Sequence, residues 1–322
     1  MKKPILRGYY GGIFFEFVLQ DKKADAVVIL PGFPSGNDFN DLISFFFGKG
    51  YHVFVPRYRG SYQSAGVFLS KNPVDDLIFF IEHLKEGEAK NLWDMKKESF
   101  KINKIILVGG SFSGSIACGL SAKYPVFSHL MLYAPIWDFK EYNSDGHEQE
   151  VQKTINFVKN TYKNCYRFKF KDVAKKLGKF DELNPAYYLP KLNLPVLVMH
   201  DPNDKDVPFK YTKKFLDLIP NTTYLEHYFG HKLTGDLLSA FWKEIDKFIK
   251  INYLNDEERE KERERERKEK KEEKAELNKR KEIKKFEKAV EKAAVEDEIK
   301  VIVEGMGDKE IKTGDVKEEK QD

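Results

Sequence analysis

The chain has 322 residues, of which 41% are hydrophobic and 34% charged, with a formal net charge of +4. That is enough apolar material for the core of one large α/β domain with room for an appendage, and the charge balance is too small to argue for nucleic-acid binding. Two cysteines rule out a disulfide framework and fit a reducing cytoplasm. No apolar run approaches the roughly 20 residues of a membrane helix, and the start, Met1-Lys2-Lys3, reads as a mature N-terminus.

Residues 8–20 are aromatic and β-branched around Gly11-Gly12, which predicts one or two edge strands. Residues 26–30 form a buried strand that ends in Pro31-Gly32-Phe33-Pro34-Ser35-Gly36. A helix is expected over 38–48, a strand over 51–55, a loop over 57–66 and a helix over 73–85, with Asp75 and Asp76 placed in its first turn to suit the dipole. Strands follow at 104–108 and 129–133, with a helix between them. Alternation of this kind predicts a parallel sheet flanked by helices, with ligand sites at the carboxyl ends of the strands. It stops over 137–191, a stretch too long for a plain loop and read as a small helical cap. It resumes with a strand at 195–199, a helix at 209–218, a short strand at 222–225 and a helix at 234–251.

The catalytic domain is thus expected to span residues 1–253, and it is mildly basic. Residues 254–322 form a charged tail, slightly acidic, in which Glu, Lys and Arg alternate from 256 to 300. This reads as a solvated helix laced by i to i+4 ion pairs and fraying into disorder. Ile283, Phe286, Val290 and Ala293 or Ala294 add a short apolar stripe without sustained heptads, and 299–303 forms a weak strand.

Three strand ends carry chemistry. The run Lys104 to Val108 leads directly into Gly109-Gly110-Ser111-Phe112-Ser113-Gly114, a small-residue turn that opens a helix. Such a turn exposes a serine hydroxyl while the first N–H groups of the helix point at whatever the hydroxyl attacks. Ser113 is the other serine of the turn. After the strand 195–199 comes His200-Asp201-Pro202-Asn203-Asp204-Lys205-Asp206-Val207-Pro208, a loop with three carboxylates. After the strand 222–225, Gly230-His231 stands just before the last helix. A serine needs a base to activate it, and the base needs an acid to orient it. His200 is expected to pack beside the acid loop. His227, four residues before His231, reads as either a supporting partner or an exposed residue. No His, Cys, Asp and Glu spacing matches a metal site, and no Gly-rich loop has the spacing of a nucleotide cradle, so neither metal nor cofactor is expected.

Taken in this order, Ser111, the acid loop and Gly230-His231 resemble the α/β-hydrolase superfamily, and most of all its prolyl-oligopeptidase, serine-aminopeptidase and dienelactone-hydrolase group. Tyr58-Arg59-Gly60-Ser61, with Ser64 and Gly66, is similar to that group's Arg-Gly loop, and Asp204-Lys205-Asp206-Val207-Pro208 to its Asp-x-x-Val-Pro motif. The resemblance covers roughly residues 23–250. It implies Ser111 as nucleophile, Asp204 rather than Asp201 or Asp206 as acid, and His231 as base. It also implies an oxyanion hole made by the backbone N–H groups of Phe33 and Phe112. The sequence departs from the pattern at Ser113, where the elbow carries glycine, at Pro31, where many relatives have His, and at Asp201, where many have Gly.

The expected activity is hydrolysis of an ester, thioester, amide or short peptide, without membrane or nucleic-acid partners. Phe33, Phe112 and Trp137 favour an apolar acyl or aromatic group as wall residues, although aromatic residues more often belong to the core. The alternative is a non-catalytic scaffold of the same fold whose tail binds a protein partner or a second copy of the chain.

Overall fold

Four strands that are neighbours in the main sheet are each centred on an apolar run, because both of their faces are buried. In β3 (Ala24–Leu30) the side chains of Ala26, Val28 and Leu30 enter one core cluster, while Val27 and Ile29 enter another. The same period-two division holds for β7 (Ile102–Gly110), β8 (Phe127–Tyr133) and β9 (Val196–His200). The structure, a computed structural model, describes residues 3–138, 148–167 and 184–251, all within the compact unit Met1–Tyr253.

The main sheet has eight strands in the order β1-β2-β4-β3-β7-β8-β9-β10. β1 (Leu6–Tyr10) and β2 (Ile13–Val18) pair antiparallel, and β2 pairs antiparallel with β4 (His52–Pro56). From β4 through β3, β7, β8 and β9 to β10 (Thr222–Glu226) every pairing is parallel. This is the mostly parallel sheet the alternation predicts.

One face is covered by α1 (Asn40–Gly48), α6 (Gly235–Ala240) and α7 (Trp242–Ile251), through Leu42, Ile43, Phe46, Leu237, Leu238, Ile245, Phe248 and Ile249. The other carries α2 (Pro73–Lys85), α3 (Phe112–Lys123) and α5 (Phe209–Phe215), through residues such as Leu77, Phe80, Ile116, Leu120 and Phe215. α2 starts as its sequence dictates: the Asn72 side chain accepts the Val74 N–H at 3.0 Å, and Pro73 occupies the first position.

Two features depart from the sequence reading. A short hairpin, β5 (Glu88–Lys90) with β6 (Lys97–Ser99), lies between α2 and β7. Its strands are three residues long and polar, so no alternation marks them. The helix expected over 234–251 is two helices, broken at Phe241. No Gly or Pro marks the break; it falls where the Phe241 ring packs near His227 and Phe229.

Of the segment read as a cap, the structure describes α4 (Glu148–Thr161) and two 3-10 turns, Pro185–Tyr187 and Leu189–Lys191. Residues 139–147 and 168–183 lie outside the described residues, as do the tail helix, stripe and weak strand. Among the described residues no helix is long and apolar enough to cross a membrane.

Candidate active site

Ser111 joins β7 to α3 with φ 51° and ψ −126°, a region that non-glycine residues seldom occupy. Its neighbours hold it there. The Ser111 N–H donates to the carbonyls of Tyr133 (2.9 Å) and Ala134 (3.1 Å), and its own carbonyl accepts from Gly114 and Ile136 (both 3.1 Å). The small residues around it are sterically required. A Cβ on Gly109 would stand 2.6 Å from the Ser113 carbonyl oxygen, and one on Gly114 would stand 2.5 Å from the Pro135 side chain. Ser113 is fully buried, accepts the Gly110 N–H at 2.8 Å and donates to backbone oxygen of Leu30 or Gly110. Its hydroxyl ties the turn to β3, which is why a serine fits where the pattern has glycine.

The acid loop leaves β9, and Asp204 is the carboxylate that meets the histidine. Its Oδ2 lies 2.7 Å from His231 Nδ1, while its Oδ1 accepts the N–H groups of Asp206 (2.8 Å) and Val207 (3.0 Å). Burial pushes this carboxyl up, but hydrogen bonds from His200, His231 and the Val207 N–H outweigh it. The carboxyl sits well below the usual carboxylate range and stays ionised. Asp201, also buried, does something else: Oδ1 accepts from the Asn203 N–H (2.8 Å) and Oδ2 from the Gly230 N–H (2.7 Å). Asp206 is exposed.

Gly230, immediately before His231, is gripped on both sides. Besides the Asp201 bond on its N–H, its carbonyl accepts the Tyr133 hydroxyl at 2.5 Å. Tyr133 therefore touches the serine turn with its carbonyl and the histidine loop with its side chain. His227 is buried and stacks on Tyr133 with ring centroids 5.4 Å apart. Of its two sequence readings, the supporting one matches. Burial lowers its pKa, so it favours the neutral form.

The sheet order reverses between β3 and β7, and the crevice at such a switch point is where open α/β sheets bind ligands. Phe33 follows β3 and Phe112 opens α3 after β7, with ring centroids 5.5 Å apart. The Phe33 ring also stacks on Phe68 (4.9 Å) and meets Tyr166 edge-on (5.0 Å). Phe112 and Trp137 are core residues at 2% and 1% exposure, the commoner of the two places the sequence reading weighs for such rings. Tyr228 and Phe229, beside His231, are exposed. One trio among the described residues stands close enough to share a metal ion, Asp204, Asp206 and His231, with donor atoms within 4.8 Å. His231 Nδ1 and Asp204 Oδ2 already face each other there at hydrogen-bond distance, a place taken by a proton.

Solved structures share this arrangement of strands and helices. An α/β-hydrolase enzyme from the metagenome of sediments of the Mar Chica lagoon, Morocco, is 21% identical, covering 74% of this chain and 99% of its own, with a TM-score of 0.50. An esterase from Exiguobacterium antarcticum is 16% identical over 74% of this chain and 95% of its own, with a TM-score of 0.54. The chain has the α/β-hydrolase fold. An esterase from Pyrococcus furiosus matches the same α/β-hydrolase frame at 15% identity, over 77% of this chain and 90% of its own, with a TM-score of 0.55. No protein-family model matches the chain.

The sequence reading passes over several groups around the candidate site. Tyr133 reads only as the end of a strand and Asp201 only as a rival acid. Thr212, which accepts the Trp137 indole N–H and bonds His200, has no motif to mark it. Each acts across 12 or more residues of sequence, where no local spacing reports the contact.

Proposed function

We propose that the chain is a serine hydrolase that cleaves a carboxylic ester, or a related thioester or amide, through an acyl-enzyme. The carrying observation is the 2.7 Å bond between His231 Nδ1 and the ionised Asp204, on loops after β10 and β9 of the same sheet whose β7 leads into the strained turn of Ser111. The esterases among the structures with this fold favour the ester.

In this reading the proton on His231 Nδ1 is fixed by Asp204, which leaves Nε2 as the base. Nε2 takes the Ser111 proton as Oγ attacks the carbonyl, and Asp204 stabilises the imidazolium that results. The N–H groups of Phe33 and Phe112 hold the oxyanion. The imidazolium then protonates the leaving group, and the same nitrogen activates the water that releases the acid. Residues 1–253 make up the catalytic unit, and no cofactor enters.

Labelling with a fluorescent fluorophosphonate tests this. The unmodified chain and Ser113→Ala should label, and Ser111→Ala should not. Ser113→Ala should be less stable by about 1–2 kcal/mol, since its buried hydroxyl bonds the turn to β3. An unlabelled native chain would end the proposal.

A further inference from the structure

Asp204 Oδ2 has a second imidazole beside it. His200, fully buried at the end of β9, points Nε2 at Asp204 Oδ2 (3.3 Å) and at the Val207 carbonyl (2.9 Å). Both are oxygens that only accept, so the ring carries a proton on Nε2. The other side of the ring accommodates the same assignment. Trp137 Nε1, a donor only, gives its hydrogen to Thr212 Oγ1 at 2.6 Å, and Thr212 Oγ1 lies 2.6 Å from His200 Nδ1. A hydroxyl has two lone pairs and one hydrogen, so with the indole on one lone pair Thr212 still has its hydrogen to give to an Nδ1 that carries none.

From this geometry we infer that Trp137, Thr212 and His200 form a positioning relay that keeps a hydrogen-bond donor aimed at the ionised Asp204 and so fixes the acid on which His231 depends. The inference rests on the serine-hydrolase reading. Two oxygens of a carboxylate offer about four acceptor positions; the Asp206 and Val207 N–H groups take Oδ1, His231 takes Oδ2, and the His200 Nε2–H, shared with the Val207 carbonyl at 2.9 Å, approaches Oδ2 at 3.3 Å. A carboxylate held in this way can neither rotate away from His231 nor readily take up a proton. The relay spans three elements: Trp137 follows β8, His200 ends β9 and Thr212 lies in α5. None of its members is placed to touch substrate, so these are positioning residues.

Removing one donor from Asp204 makes the carboxylate more basic, and a more basic carboxylate holds the imidazolium proton more tightly. The acid limb of kcat/KM, which belongs to the Asp204–His231 pair as a whole, therefore moves to higher pH. The other titratable groups around the pair, Asp201, Asp206, Tyr133 and His227, are left unaltered.

The test uses the full chain and p-nitrophenyl butyrate, with fluorophosphonate labelling in parallel and thermal unfolding to check each variant. His200→Leu should lower kcat ~10-fold or more, the worth of one hydrogen bond to a charged group, with KM little changed. Its acid limb should rise by about one pH unit. His200→Gln, which can still donate to Asp204, should recover most of the loss. Thr212→Val, which keeps the shape but frees the ring's orientation, should fall between them and keeps the question answerable if His200→Leu does not fold. A folded His200→Leu or Thr212→Val chain matching the native chain in kcat, with an unshifted acid limb, would overturn the relay while labelling of Ser111 still stood. A native chain that neither labels nor hydrolyses would remove the serine-hydrolase reading and the relay with it.

Discussion

Tyr133 serves the site twice, with its carbonyl on the Ser111 N–H and its hydroxyl on the Gly230 carbonyl. Burial, with Asp204 and Asp201 nearby, pushes its hydroxyl pKa up, so it remains a donor throughout the working range. Tyr133→Phe keeps the ring stack on His227 and loses only the hydroxyl bond. It should cost about 1 kcal/mol of stability in urea titration, and kcat should fall several-fold with the fold intact. An unchanged kcat would show that the Asp201 bond alone fixes Gly230. Asp204 makes a second test, through pH. Its folded-state pKa lies below the ordinary value of about 3.9, so its ionised form stabilises the fold above that pH, and the contribution is lost as pH falls through the lowered pKa. Asp204→Asn should therefore be less stable than the native chain at pH 6, and the gap should narrow below about pH 4. A gap independent of pH would mean that shape, not charge, matters at this position. On the serine-hydrolase reading the same change should lower activity by about four orders of magnitude, as loss of the acid does in Ser-His-Asp enzymes.

At the scale of elements, what could be read locally was set by burial on both faces. β3, β7, β8 and β9 announce themselves because each sends alternate side chains into two separate cores, which makes apolar runs of residues 26–30, 105–108, 130–133 and 196–199. The elbow is legible for a related reason: Gly109 and Gly114 face atoms that no Cβ could approach, so the turn's sequence is dictated by contact. The β5 and β6 hairpin is illegible because three-residue polar strands carry no periodicity. The break between α6 and α7 is illegible because Phe241 responds to His227 and Phe229, far away in sequence or across a loop, rather than to a local breaker. The start of α6 bears on function, since it follows His231 by four residues. Thr234 caps it by accepting the Leu237 N–H at 3.2 Å, and Asp41 of α1 accepts the Gly235 N–H at 2.5 Å. Thr234→Ala should lower stability by about 1 kcal/mol in chemical unfolding. Because the cap anchors one end of the histidine loop, a fall in kcat should accompany it. Lost stability with a fully retained kcat would assign the loop's order to Tyr133 and Asp201 instead.

At the scale of the whole molecule, the sheet acts as a partition with an apolar layer of described residues on either side. Every buried residue of the two clusters lies between Ile13 and Ile249, and the three strand ends bearing Ser111, Asp204 and His231 belong to the same sheet. The long parallel pairings that bring residues 111, 204 and 231 to one edge are satisfied by β3, β7, β8, β9 and β10 with their helices. A chain ending at residue 253 contains every one of these groups. It should therefore fold cooperatively, label at Ser111 with fluorophosphonate, and hydrolyse a p-nitrophenyl ester within about twofold of the full chain, because area removed from water in these layers supplies the main stabilisation. The measurement is a paired one, unfolding in urea and steady-state hydrolysis for both lengths. A shortened chain that aggregates, or that unfolds at distinctly lower urea, would show that residues beyond 253 contribute to the fold itself. One that folds alike but turns over far more slowly would place part of the working site in those residues, and the catalytic unit would then have to be drawn longer.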